Sequence, residues 1–422
     1  MSGANPGEEI GCDVAIVGAG MAGATLALAL CQGGLECVLI DPLPFETQVA
    51  ETFDGRASAV SFSCFRQWRA LEAAGGVEPH AQRIEQILVT DGRSPGAAAA
   101  PAQGVWLRFD SAEIADRVEG EPLGYLVENR RIRAGLAQAV TAAPVKVLAP
   151  AKVTALEAEP GSVRLQLDDG RTIRAALAVG ADGRNSKVRT ASGIEVTGWD
   201  YGHVGVVATV GLERDHQGVA YEHFLPSGPF AILPLTEQRA SLVWTESRAR
   251  GTALMTARPE IFEACLRRRF GPFLGEVSVL GQRFAYPLSL QLARRITAPR
   301  AVLVGDSAHA VHPIAGQGLN MGLKDVAALA EVLIEAMRLG EDIGSAAVLE
   351  RYARWRSLDN VGVALATDLF NRLFSNDHPV VRAARGAGMA LVNQIGPARR
   401  MFMAEAGGAA GDLPRLLRGE PV

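Results

Sequence analysis

The sequence predicts an α/β fold in which a βαβ unit is interleaved with an antiparallel β-sheet and followed by helices, and three observations carry that expectation. Residues 13–41 pass from an apolar strand (DVAIVGAG) through a helix (MAGATLALALCQGG) to a second strand (ECVLID), which is one βαβ unit. From Tyr201 to Glu246 the chain turns to strands in succession (VGVVATVGL, VAYEHFLP, RASLVWTE), the pattern of an antiparallel sheet inserted between pieces of the first unit. Beyond about Gly316 the pattern reads helical almost to the C-terminus.

The connecting pieces agree with this plan. Asp168 to Gly170 mark a hairpin turn before a strand that ends at Gly180, and RAVLVGD is a further apolar strand closing at Asp306. The stretch SPGAAAAPAQG is low in complexity and reads as a surface loop.

At 422 residues the chain exceeds the usual single-domain size, and 48% hydrophobic with 21% charged residues is ordinary globular composition. A formal net charge of −4 leaves no basic surplus for neutralising phosphates, which argues against nucleic acid as a partner. The five cysteines are odd in number, include no C-x-x-C pair and mostly lie in apolar runs, so a reducing compartment without structural zinc is expected. The N-terminus lacks a basic start followed by an apolar run and cleavage site, and no window offers the roughly 18 apolar residues of a spanning helix, so a cytoplasmic protein or one peripheral to a membrane is expected.

Three glycine-rich sites carry the chemistry. In VGAGMAGA, Gly18, Gly20 and Gly23 form G-x-G-x-x-G between strand and helix. In a dinucleotide site Gly18 makes the tight turn, Gly20 lets backbone approach a pyrophosphate and Gly23 lets the helix pack on the strand. The helix N-terminus offers amides and a positive dipole end, and Asp41, closing the next strand, suits ribose hydroxyls. In AVGADGRNSKVR, Asp182 beside Gly183 at a strand end suits a ribose or an activated water, and Arg184 and Arg189 suit phosphates; D-G is equally a common turn former.

In GDSAHAVHPIAGQGLNMGLKD, Asp306 lies at the carboxyl edge where open α/β sheets bind ligands, and Gly316, Gly318 and Gly322 let backbone approach a flat ring. A helix starting near Leu319 aims its free amides at that ring, an arrangement suited to a group that becomes anionic on reduction. His309 and His312 lack the third ligand of a catalytic metal site. His309 among small neighbours reads as structural, whereas His312 beside Pro313 in the turn divides between structure and a reaction chamber.

The three sites in this order resemble the single-component flavoprotein aromatic hydroxylases, and HPIAGQGLNMGLKD resembles the signature of the ubiquinone-biosynthesis branch. DGRASAVSF from Asp54, LGYLVENRRIRAGL from Leu123, GPFAILPL from Gly228 and RYARWRSLDN from Arg351 extend the likeness over nearly the whole chain. The resemblance implies a glutathione-reductase-type FAD-binding Rossmann domain in three pieces (residues 1–80, 121–195 and 291–345), an antiparallel β-sheet substrate domain in two (81–120 and 196–290) and a helical C-terminal region (346–422).

By the same resemblance Gly18, Gly20, Gly23 and Asp41 hold the ADP half of FAD, with Arg56 and Asn129 near the pyrophosphate and flavin. Asp306 binds the ribityl chain, and the backbone at Gly318, Leu319 and Asn320 faces the isoalloxazine edge. Asp182 and Arg184 serve FAD and a passing NAD(P)H, and His312 and Pro313 line the chamber. The implied activity is hydroxylation of a polyprenyl phenol by NAD(P)H and O2 through a flavin C4a-hydroperoxide, without a bound metal. A hydroxylase of a small soluble aromatic, a flavin-dependent isoprenoid reductase and a non-catalytic FAD-binding subunit are the alternatives. A bilayer substrate implies contact with the inner membrane or with other ubiquinone-pathway proteins. Residues 365–403, rich in apolar residues and carrying Arg372, Arg382, Arg385, Arg399 and Arg400, read either as an interfacial helix or as a packed helical cap.

Overall fold

The computed structural model describes residues 8–91, 105–114, 120–225, 227–311, 317–356, 403, 407–408 and 411–422. The chain opens with β1 (Glu9–Val17), α1 (Met21–Gln32) and β2 (Cys37–Ile40), followed by α2 (Phe45–Gln48), β3 (Ala57–Ser61) and α3 (Phe62–Ala70). Then come β4 (Gln82–Ile84), β5 (Gln86–Asp91), β6 (Val105–Asp110), β7 (Gly124–Glu128) and α4 (Asn129–Ala142). Four strands follow, β8 (Lys146–Leu148), β9 (Val153–Glu159), β10 (Ser162–Leu167) and β11 (Thr172–Gly180), and then α5 (Lys187–Ala191). The next run is β12 (Val196–Leu212), β13 (Val219–Leu225), β14 (Gly228–Leu235) and β15 (Arg239–Ser247), with α6 (Arg248–Thr256) and α7 (Pro259–Phe270) after it. Last are β16 (Val277–Ala293), β17 (Thr297–Ala298), β18 (Ala301–Leu303), β19 (His309–Ala310), α8 (Gln317–Arg338) and α9 (Arg415–Arg418).

One sheet runs β17-β18-β11-β1-β2-β8, with β10 and β9 extending from β11. Its centre is parallel, β1 pairing β11 and β2, because the apolar helix α1 carries the chain from β1 back to β2. Residues 23–30 of α1 are buried all round, since the helix lies between the sheet and α8. A Cβ on Gly33, just past its end, would sit 2.2 Å from Ile334 of α8, so a side chain there would push the two helices apart.

The second sheet runs β19-β16-β12-β15-β14-β13-β5-β6, antiparallel except where β13 meets β5. Its apolar core, including Phe230, Trp244, Phe262 and Phe270, lies on the face covered by α6 and α7. The small sheet β3-β7-β4 packs against the opposite face: Ala57, Ala59 and Leu126 cluster with Ala220, Leu233 and Leu235. The inserted sheet therefore gathers strands from outside the Tyr201–Glu246 run, because its edges are completed by β5 and β6 on one side and β16 on the other.

Two boundaries differ from the sequence expectation. The strand before Asp306 stops at Leu303, because Gly305 takes φ +60° and the chain turns through a 3-10 turn at Gly305–Ser307. The long helix starts at Gln317, ahead of Leu319. Residues 346–356 are helical. Among the described residues no helix is long and apolar enough to cross a membrane, and residues 365–402 with their arginines lie outside the described residues.

Candidate functional site

The first loop begins where β1 ends. Gly18 has φ +107°, and a Cβ there would lie 2.3 Å from the carbonyl oxygen of Ala181, so the first and second glycine loops touch backbone to backbone. A Cβ on Gly23 would lie 1.8 Å from the Gly18 carbonyl oxygen, which is how α1 reaches the strand end. By contrast, a Cβ on Gly20 would meet nothing within 4 Å: its face is open to a ligand. No side chain caps α1, so its leading amides and positive dipole end remain available to a phosphate group.

Asp41 follows β2 directly. Its Oδ2 accepts from the Ala19 N–H at 2.7 Å and its Oδ1 from the Leu43 N–H at 2.8 Å, which ties the glycine loop to the second strand. Burial pushes this carboxyl above its ordinary pKa, with the two amides acting the other way. Each oxygen keeps a lone pair for a ribose hydroxyl.

In the second loop, Asp182 Oδ2 accepts from the Lys187 N–H at 2.6 Å and the Val188 N–H at 3.3 Å, while Ser186 Oγ accepts from the Arg189 N–H at 3.0 Å; both hold the start of α5. Asp182 Oδ1 is buried with no hydrogen-bond partner, an orphan acceptor pointing to a missing donor. Arg184 and Arg189, expected to meet phosphates, are engaged elsewhere. The Arg184 guanidinium bonds Ser289 Oγ on β16. Arg189 is buried and donates to the carbonyls of Ser307 (2.9 Å) and Arg184 (2.7 Å), bracing the second loop against the third. Burial lowers its pKa, with Asp182 acting in the opposite sense.

In the third loop Asp306 is exposed between buried neighbours. The backbone around it is fixed from several sides: Val304 N–H donates to the Gly180 carbonyl at 3.0 Å, and Gly305 N–H donates to Asp325 Oδ2 at 3.0 Å. A Cβ on Gly305 would lie 3.5 Å from the Ala22 Cβ of α1, and a Cβ on Gly322 would lie 3.1 Å from the Gly305 Cα. The N-terminal turns of α1 and α8 therefore both close on Gly305, and two positive dipole ends gather beside one exposed carboxylate.

Gly318 and Leu319 are half-buried in the first turn of α8. Asn320 is buried, and its side chain works as a piece of sheet edge: Oδ1 accepts from the Ser61 N–H and Nδ2 donates to the Ala59 carbonyl, both at 2.9 Å. Any contact from Asn320 to a ligand thus falls to its backbone. His312 and Pro313 lie outside the described residues, as does Gly316.

Arg56 and Asn129 meet through Asp54, which sequence reasoning passed over although it heads the DGRAS stretch. Asp54 is buried and takes a two-pronged ion pair from Arg56 (2.9 and 3.0 Å), with further bonds from Arg133 (2.8 Å), Asn129 (3.1 Å) and the Tyr286 hydroxyl (3.2 Å). Burial alone would raise its carboxyl; the Arg56 and Arg133 guanidiniums outweigh it and hold the group well below the carboxylate range. Arg56 stacks on Tyr286 at 4.6 Å and stays half-exposed, free to meet a ligand on its open side. Asn129 is buried, its Oδ1 accepting from Ser58 at 2.7 Å, and acts as a strut.

Asp325, the last residue of the GLNMGLKD stretch, is the second missed centre. Fully buried, it accepts from Gly305 N–H, from His309 Nε2 at 2.5 Å and from Arg356 Nε at 2.8 Å. Its burial is outweighed by His309 and Arg356, which bring its pKa down to about 2. Burial disfavours a charged His309, but Asp325 outweighs it and raises the imidazole pKa. His309 is thus a structural ion-pair member whose Nδ1 has no partner. A carboxylate three residues beyond a singled-out glycine was the available signal, but nothing local tells that its partners lie 16 and 31 residues away. Among the described residues no group of three or more His, Cys, Asp or Glu side chains gathers as a metal site would.

These features fit a flavin nucleotide: an open glycine before an uncapped helix, a tethered ribose-side carboxylate, an orphan acceptor and two helix starts converging on an exposed aspartate. Residues 11–359 match the family described as FAD binding domain. The chain is 44% identical to ubiquinone hydroxylase UbiL of Rhodospirillum rubrum, over 97% of this chain and 93% of that protein. It is 36% identical to 3-demethoxyubiquinol 3-hydroxylase of Escherichia coli, over 93% and 97% respectively. Among solved structures, p-nitrophenol 4-monooxygenase PnpA from Pseudomonas putida superposes with a TM-score of 0.78 at 19% identity, over 96% of this chain and 100% of that one, a likeness of fold.

Proposed function

This chain belongs to the FAD-binding family of flavoprotein aromatic hydroxylases, and on that premise we propose that it hydroxylates the ring of a polyprenyl phenol in ubiquinone biosynthesis, using NAD(P)H and O2. The observation that carries the substrate reading is the near full-length likeness to two hydroxylases whose names place them on ubiquinone intermediates. When bound, FAD takes a hydride from NAD(P)H and activates O2 so that one oxygen atom reaches the substrate ring.

The residues divide that task as follows. Gly18, Gly20, Gly23 and the leading amides of α1 cradle the pyrophosphate, and Asp41 takes the ribose hydroxyls. Asp306 takes the ribityl chain, and the backbone of Gly318, Leu319 and Asn320 meets the ring edge, where the α8 dipole favours negative charge on reduction. The orphan oxygen of Asp182 accepts from the same ligand; Arg184 orients that loop through Ser289. Arg56, held by Asp54, and Asn129 lie near the pyrophosphate and flavin, and His312 and Pro313 line the reaction chamber. Residues 1–80, 121–195 and 291–345 form the cofactor domain, 81–120 and 196–290 the substrate domain, and 346–422 the helical region that meets the inner membrane or pathway partners.

The test is stopped-flow absorbance on the FAD-loaded protein, first with NADPH under anaerobic conditions and then with O2 and a short-chain prenyl phenol. Flavin bleaching followed by product carrying one atom of isotopically labelled oxygen is the expected result. Bleaching with a saturated isoprenoid product and no oxygen use would establish a reductase instead. For the membrane reading, truncation after residue 356 abolishes liposome association; unchanged association refutes it.

A further inference from the structure

The face of the large sheet that meets β3 carries a row of register neighbours: Leu107, Val89, Glu222, Ala231, Val243, Val207 and Phe284. Paired residues of adjacent strands point to the same face, so Glu222 stands in an otherwise uncharged row. At about 4.8 Å per strand, four spacings make the floor between Glu222 and Phe284 about 19 Å wide. Phe284 marks one end of it beside the Asp54–Arg56 turn, since a Cβ on Gly55 would lie 2.1 Å from its ring.

Glu222 sits near the other helix-facing landmark. Asn320, in the first turn of α8, bonds the Ala59 carbonyl; Ala59 packs on the apolar cluster that also contains Ala220, and Ala220 precedes Glu222 by two residues on the same face of β13. The carboxylate thus lies one same-face position along β13 from a cluster that β3 joins.

Its surroundings are unusual for a carboxylate. β13 is an interior strand, flanked by β14 and β5. Among the described residues no hydrogen bond or ion pair reaches Glu222. Its register neighbours Val89 and Ala231 and its same-face neighbours Ala220 and Phe224 are uncharged, while His223 turns to the other face and bonds Thr90. Yet Glu222 keeps partial solvent access on a strand covered from both sides, so a space adjoins it. An unpaired interior carboxylate is costly, and such groups concentrate where chemistry needs them.

We infer that Glu222 is a catalytic residue of this enzyme, the group that takes the proton from the ring hydroxyl of the phenol as the ring is hydroxylated; this rests on the function proposed above. The phenolic O–H bond breaks and its electron pair moves into the ring, strengthening the carbon that forms the new C–O bond. The proton forms an O–H bond on the carboxylate. The ring carbon then loses its hydrogen as a proton to water, Glu222 returns its own to the first oxygen, and the second oxygen atom of O2 leaves as water with two electrons from NAD(P)H and two protons from the medium. The oxidant and reductant are the O2 and NAD(P)H of the overall reaction. Burial pushes the Glu222 carboxyl up to about 7, which poises it as a base near neutral pH.

The test compares FAD-loaded wild type with Glu222→Gln, measuring hydroxylated product per NAD(P)H consumed and the pH profile of kcat/KM. In the wild type the rate rises with pH through about 7, as the carboxylate forms. In E222Q, product formation falls about 100-fold while FAD binding and flavin reduction persist, the rise disappears, and a ring-fluorinated, more acidic phenol restores part of the rate. An E222Q enzyme with wild-type coupling and pH profile overturns the inference. Should E222Q lose FAD, the wild type alone decides: a flat profile through neutral pH overturns the assignment. Absence of any prenyl phenol product from wild type sinks the functional reading itself, a distinct outcome.

Discussion

Replacing Asp325 with asparagine perturbs a fully buried carboxylate that ties Gly305, His309 and Arg356 together. Gly305 N–H, His309 Nε2 and Arg356 Nε all donate to its carboxylate. An asparagine offers one carbonyl oxygen and sets its own NH2 against a donor in either orientation. Arg356 is 3% exposed, so its charge loses the Asp325 carboxylate without gaining water. Removing one member of a buried pair costs about 3–5 kcal/mol, and the same loss releases Gly305, so FAD should also dissociate more readily.

The pH dependence has a definite sign. Asp325 titrates at about 2 in the folded chain, below its unfolded value of about 4, so its contribution is present above pH ~4 and is lost as pH falls from there toward 2. His309 has a raised pKa, so its contribution is fully present below its unfolded value of about 6.5 and is lost as pH rises through the folded value. The wild-type advantage over D325N is therefore greatest between pH ~4 and ~6.5 and shrinks on either side. Denaturant unfolding of the FAD-loaded proteins, followed by flavin release and tryptophan fluorescence across that range, measures it. A difference under about 1 kcal/mol at pH 6, or one that does not change with pH, would refute the reasoning.

Other substitutions have equally defined outcomes. Gly23→Ala forces a Cβ into a space 1.8 Å from the Gly18 carbonyl oxygen, and since both are backbone the loop must move; flavin fluorescence titration should show FAD affinity down at least 10-fold, by analogy with other lost close approaches. Arg189→Ala strips donors from the carbonyls of Ser307 and Arg184; a loss of about 1–3 kcal/mol is expected, and an unchanged unfolding midpoint would show that the brace contributes nothing. Asp54→Asn leaves the nearly buried Arg133 without its carboxylate, which should cost about 3 kcal/mol above pH ~4 and progressively less below it, as acid protonates Asp54 in the unfolded wild type first.

How much was legible beforehand varied with the range of the interaction involved. The βαβ unit could be read because strand and helix periods are local, and the glycine loop because the close approach of Gly23 to Gly18 falls within six residues. Asp54 and Asp325 carried only a weak signal, being carboxylates next to residues already singled out. Sequence alone leaves Arg189 open to a phosphate, because an arginine near a strand end looks the same whether it meets an anion or the Ser307 carbonyl 118 residues away. Glu222 lay unnoticed within VAYEHFLP, where strand alternation alone cannot say which face is covered.

The sequence by itself determined the class of the fold, the order of three glycine-bearing loops and the kinds of group each presents, because those depend on backbone freedom and on periods of two and 3.6 residues. Only the tertiary structure decided that the loops converge on Gly18, Ala181 and Gly305, that Asn320 spends its side chain on β3, and that Asp325 gathers His309 and Arg356. Long-range partners are selected by how sheets and helices stack, and a buried charge can be stabilised by any donor that the packing delivers, so its identity is a property of the assembled chain.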